Sequence, residues 1–83
     1  MGRIFSDVKK GSKGIDVYIL QSMLHSMQYF GSNGKPLEID GDAGANTVYA
    51  INTFKRTQKL YNVDCGEING VFDSKCLQII VVM

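Results

Sequence analysis

Tyrosines, a pair of aspartates and a few amides carry the chemistry this chain can offer. Tyr18, Ser22, His25 and Tyr29 recur at i, i+4, i+7 and i+11, and Tyr49, Asn52 and Arg56 recur at i, i+3 and i+7. Those spacings put each set on one face of a helix. A tyrosine joins an apolar ring to a polar tip, while Asn and Arg add an amide and a cation. Such faces suit contact with sugar rings and amide groups rather than bond-making. The plainer reading is that the rings cover neighbouring loops, as scattered surface apolar groups often do. A third set lies in Ile39-Asp40-Gly41-Asp42-Ala43-Gly44-Ala45-Asn46-Thr47. Here Asp40, Asp42 and Asn46 sit in a tight turn at a helix start, where free backbone amides would suit a carboxylate.

Sharper chemistries fail on spacing. Asp40-x-Asp42-x-Gly44 resembles the opening of a calcium loop, but Gly44 holds the fifth position and Ile51 the twelfth, where a bidentate glutamate belongs. His25 is the single histidine, and a zinc site needs three or four nitrogen or sulfur ligands. Cys65 and Cys76 form no Cys-x-x-Cys pair, and two cysteines make no disulfide framework. Free thiols are expected, with Cys76 toward the core and Cys65 in a loop. No Ser/His/Asp set or paired-carboxylate constellation is arguable, so neither an active site nor a cofactor nor a metal is expected.

The elements that must position these residues follow from length and pattern. Eighty-three residues make one small domain, and 45% hydrophobic with 20% charged residues is ordinary globular composition. A net charge of +1 gives no basis for nucleic-acid binding. No apolar run approaches the roughly 20 residues of a membrane span, so no membrane insertion is expected. Met1-Gly2-Arg3-Ile4-Phe5 has no apolar h-region, so no signal peptide is read in this chain. Residues 1–7 read as a lead-in, with Ile4 and Phe5 available to pack on the body, and residues 8–83 as the domain.

Three helices are expected. The first spans about 12–30, capped by Ser12, with Val17, Leu20, Leu24 and Met27 on one face. The second spans about 45–60, entered through a turn in which Gly41 and Gly44 take positive φ. The third spans about 73–82, capped by Asp73 or Ser74, although its β-branched residues favour a strand by propensity. An internal repeat decides for helix: Ile39 and Ile68 lie 29 residues apart, and in that register Gly41 meets Gly70 and Thr47 meets Cys76. The expected core is Val17, Leu20, Leu24, Ile39, Ala50, Ile51, Phe54, Ile68, Leu77 and Ile80. The fold class is all-α, a small three-helix bundle with an internal turn-helix repeat.

The run Val8-Lys9-x-Gly11-Ser12-x-Gly14-x-Asp16-Val17-x-x-Leu20-Gln21-x-x-Leu24 resembles the opening of the peptidoglycan-binding domain family of three-helix type. That family's middle motif is matched at Asp40, Gly41, Gly44, Thr47, Ala50, Ile51 and Phe54, and its third motif is echoed at Asn69-Gly70-Val71. The chain departs from the pattern at Ala43, where an aromatic is usual, at Lys55, where Gln is usual, and at Cys76, where Thr is usual. The resemblance implies a PGBD-like fold and a non-catalytic module that binds peptidoglycan, through its glycan strand or stem peptide. It also implies an attached catalytic domain as partner and a cell-wall or extracellular setting within a parent protein. Residues 18, 29, 40, 42, 46, 49, 52 and 56 are the candidate ligand contacts. The alternative is a protein–protein or self-association module on the same fold, served by the apolar end at residues 79–83. The matrix metalloprotease propeptides share this architecture, but Cys65-Gly66 follows Val63-Asp64 rather than the Pro-Arg of their cysteine switch.

Overall fold

A computed structural model describes residues 6–82, with side chains described as far as Ile80. The packing expected of Ile4 and Phe5 lies outside the described residues. Three helices make the fold: α1 (Ile15–Ser26), α2 (Ala45–Leu60) and α3 (Ser74–Val82). The only β pairing among the described residues is three isolated antiparallel bridges, Val8 with Phe72, Lys13 with Asp42 and Phe30 with Pro36. The architecture is all-α, as the sequence predicts.

The first helix is shorter than its periodicity suggests. Gly14, at φ 116°, is its N-cap, and no side chain caps it. Ser12 is not the cap, because its carbonyl accepts the Ala43 N–H at 2.9 Å and its hydroxyl accepts the Lys9 N–H at 3.0 Å. The helix stops at Ser26 rather than near Tyr29. Gln28 turns left-handed at φ 66°, its N–H returns to the His25 carbonyl, and the Tyr29 N–H returns to Leu24. This is a Schellman ending on a residue other than glycine. The end of α2 repeats it: Asn62 has φ 61°, with Asn62 N–H to Lys59 and Val63 N–H to Gln58. The start of α3 follows expectation, since Asp73 Oδ1 accepts the Cys76 N–H at 3.1 Å.

The internal repeat is visible in the turns. Gly41 (φ 75°) and Gly70 (φ 77°) both take the left-handed conformation, and a Cβ on either would press to 2.7 Å from the Tyr18 ring or 2.9 Å from Val48. Both positions therefore require glycine for backbone angle and for space. Gly44 does not: it sits extended at φ −94° as the N-cap of α2. Ala43 and Phe72 occupy equivalent buried places, and the segment at residues 8–12 runs across both. Val8 and Phe72 exchange both backbone hydrogen bonds at 2.8 Å, while Gly11 N–H reaches the Ala43 carbonyl at 2.8 Å.

Val17, Leu20, Leu24, Ala50, Ile51 and Phe54 form the buried centre as expected, and Leu77 and Ile80 pack partly buried against it. Ile39 and Ile68 do not belong to it, being each 37% exposed. In each Ile-x-Gly turn the backbone amides face inward and the isoleucine is left at the rim. Val8, Leu37, Ala43 and Phe72 fill the core instead, together with both cysteines. An aromatic column crosses it: Tyr29 meets Phe54 edge-on at 5.7 Å, and Phe54 meets Phe72 at 5.8 Å.

Candidate functional site

Two buried polar side chains organise the loops from which any site must be built. Gln21 lies on the inward stripe of α1 between Val17 and Leu24 and is 1% exposed. Its Oε1 accepts the N–H groups of Asp40 (3.0 Å) and Gly41 (2.8 Å). Its Nε2 lies 3.1 Å from Asp40 Oδ1, the Asp42 carbonyl and Thr47 Oγ1. Two protons therefore serve three acceptors, and one bond is shared. A primary amide suits this place because it donates and accepts at once. Thr47 thus takes part through its hydroxyl oxygen, as an acceptor.

Lys55 takes the corresponding place on α2. It is 2% exposed, and its Nζ donates to the Glu67 carbonyl (2.9 Å) and Asn69 Oδ1 (3.0 Å). An ammonium cannot accept, so the Gly70 N–H turns to Asn52 Oδ1 at 2.7 Å. Lys55 and Asn52 together do for the second turn what Gln21 does for the first. The thiols complete this half. Cys76, equivalent to Thr47, donates to the Cys65 carbonyl at 3.2 Å, and both cysteines are free and buried. Burial pushes the Cys76 thiol up to about 12, which keeps it protonated at neutral pH.

The first turn borders an open groove of about 530 Å³ between the end of α1, the loop at residues 30–39 and the start of α2. Its walls include His25, Lys35, Leu37, Glu38, Ile39 and Asn46. It continues past Glu38 and Asn46 into a hollow of about 130 Å³ reaching Gln21, Asp40 and Asp42. His25 Nδ1 lies 2.8 Å from the Leu37 carbonyl, so that nitrogen carries the proton and Nε2 is left as an acceptor in the neutral ring. Asn46 Oδ1 accepts the Ser32 hydroxyl at 2.7 Å, which ties the loop to α2. Asp40 sits below the ordinary carboxylate range, held there by the Asp42 N–H and then by the Gln21 amide.

Asp40, Asp42 and Asn46 are thus brought together along one groove, and His25, named for the helix stripe, joins them. Tyr18 and Tyr49 are each 48% exposed on α1 and α2, and Arg56 is exposed. Tyr18 lies with one ring edge over Gly41. Tyr29 departs from the outward stripe: the chain turn after Met27 swings its ring onto Phe54, where it is half-buried. Asn52 likewise faces the second turn and holds Gly70 rather than solvent. Of the amides expected to be free in the first turn, those of residues 40–44 are occupied, with Asp40 and Gly41 on Gln21, Asp42 on Asp40 Oδ1, Ala43 on Ser12 and Gly44 on Asp42. Gln21 and Lys55 escaped the sequence reading as site builders. Their signal was a polar residue on the buried stripe directly after Leu20 and after Phe54. No group of three or more His, Cys, Asp or Glu side chains able to hold a metal occurs among the described residues.

Among solved structures, the SleB N-terminal domain superposes with a TM-score of 0.67 at 23% identity, covering 94% of this chain and 92% of that one. At that identity the likeness is one of fold: an all-α three-helix architecture with the same extent. No family model matches the chain, and no curated protein matches it.

Proposed function

We propose that this domain is a non-catalytic module that binds peptidoglycan and holds an attached wall-modifying enzyme on its substrate. The observation that supports the reading is that the family-like motif residues are the ones that build the fold. Gly11 and Ser12 pair with Ala43, Gln21 clamps Asp40 and Gly41, and Leu20, Leu24, Ile51 and Phe54 fill the core. The likeness in sequence is therefore a likeness in working parts. The groove beside the first turn is the proposed contact, with Pro36 and Ile39 offering apolar surface for a sugar ring and Asn46, Glu38 and His25 offering polar atoms for amide groups. A shallow groove on a small domain binds a single repeat weakly, and a polymer with many repeats compensates through effective concentration.

The test is co-sedimentation with purified insoluble peptidoglycan. Retention without hydrolysis is expected, with only weak binding to short soluble fragments. Asn46→Ala and Glu38→Ala should reduce retention if the groove is the contact, whereas Tyr18→Ala and Tyr49→Ala should do so if the tyrosine faces are. Washing off as readily as a control protein would sink the reading. An open apolar hollow of about 330 Å³ between α1 and α3, lined by Met23, Met27 and Ile80, favours self-association as the second reading. Sedimentation equilibrium of the isolated domain distinguishes the two.

A further inference from the structure

The repeat that copies the turn also copies the groove. The first groove lies between the last turns of α1 and the loop entering the Ile39 turn. Its counterpart lies between the last turns of α2 and the loop entering the Ile68 turn. This second groove holds about 310 Å³ and is lined by Lys55, Lys59, Asn62, Asp64, Cys65 and Gly66. Lys55 stands on α2 where Gln21, which lines the hollow adjoining the first groove, stands on α1, and Lys59 stands where His25 stands. The geometry is repeated and the charge is changed.

Charge sets what the second groove can take. Lys55 is buried with neutral partners, a backbone carbonyl and an amide oxygen, so the groups that hold it leave its charge uncancelled. A buried ammonium held by neutral oxygens keeps its field, and low-dielectric walls extend that field into the groove. Lys59 adds an exposed ammonium at the rim. The carboxylate among the lining residues, Asp64, is held mainly by other groups: its Oδ1 accepts the Gly66 N–H at 2.9 Å and its Oδ2 accepts from Lys75 at 3.0 Å, while Lys59 is the smallest of the influences on it. The first groove, by contrast, carries Glu38 and extends to Asp40 and Asp42.

We infer that the second groove is a separate binding site for a carboxylate-bearing peptide end, with Lys59 making the direct contact and the Lys55 charge supporting it from beneath. The identification of that carboxylate with a peptide of the cell wall rests on the proposed function. The site itself rests only on the groove and its charges. Recognition of the two chemistries would then be divided between the repeats, polar and mixed in the first, anionic ligands in the second.

The experiment is a titration of the ¹⁵N-labelled domain with N-acetyl-D-alanyl-D-alanine and, separately, with its C-terminal amide. Amide shifts at Lys59, Asn62 and Gly66 are expected with the acid alone, and Lys59→Gln should weaken that binding about ten-fold, the scale of one lost charge-assisted contact. Lys59 is exposed, so its replacement leaves the core intact. Equal shifts with acid and amide, no shifts at all, or an unaltered titration of Lys59→Gln would each overturn the inference. A parallel arm uses insoluble peptidoglycan whose carboxylates have been converted to amides. Undiminished retention on it would overturn the inference while leaving wall binding standing. Failure to bind even unmodified wall, with the dipeptide shifts present, would instead overturn wall binding and leave the site.

Discussion

Gln21 and Lys55 are a natural comparison of two side chains given the same task. Removing Gln21 strands the Asp40 and Gly41 N–H groups facing the protein interior, and an unsatisfied buried donor costs about 1–3 kcal/mol. Gln21→Leu should therefore destabilise the domain by about 3 kcal/mol in a urea melt. Lys55→Met should cost clearly less. It removes a buried charge as well as two bonds, and Asn69, one of the acceptors, is exposed and can turn to water. Finding the two variants equal would mean that the clamp matters in the second turn as much as in the first. Asp40 makes a pH prediction. Its folded pKa is lowered, so its contribution is present above the ordinary carboxylate pKa and is lost as pH falls through the lowered value. Asp40→Asn should flatten the acid limb of the stability profile and leave neutral stability nearly unchanged. The second turn already shows that asparagine works there, since Asn69 Oδ1 accepts the Val71 N–H as Asp40 Oδ1 accepts that of Asp42.

At the scale of elements, what was legible in the sequence is what periodicity encodes. Residues 50, 51 and 54 announced the buried face of α2, and its bounds follow the pattern closely. What periodicity does not encode is where a backbone turns. Gln28 and Asn62 end their helices in the left-handed region, which costs non-glycine residues about 1–2 kcal/mol and leaves little mark in composition. Periodicity therefore puts Tyr29 on the wrong face, because the helix it predicts runs one turn too far. Ile39 and Ile68 depart from the expected core for a related reason: an apolar residue beside a turn suggests core, whereas the turn uses its inward face for amides. The candidate site was legible only in part. Asp40, Asp42 and Asn46 are near in sequence, but His25 reaches the same groove through tertiary packing. Phe54→Ala should cost about 3–5 kcal/mol, because it empties the middle of the Tyr29–Phe54–Phe72 column. Ile39→Ala should cost under about 1 kcal/mol, as befits a residue at the rim. Chemical denaturation of both variants checks the assignment of core and rim together.

The whole molecule is closed by the segment at residues 8–12, which joins both turns across a long stretch of sequence. Val8 and Phe72 run antiparallel, so the chain before Val8 and the chain after Phe72 leave from the same end of the pair. Tension applied through those two stretches would peel the pair open one hydrogen bond at a time, like a zip, rather than load both bonds in shear. Residues 11 and 12 would keep their grip on Ala43 after that first rupture, because their bonds lie further along the strap. Under a pulling force the domain should thus yield first at residues 6–8, the Ser6 N–H leaving Asp16 Oδ2 and the Val8–Phe72 pair then opening, at low force, with the helices and both grooves still assembled behind the opened strap.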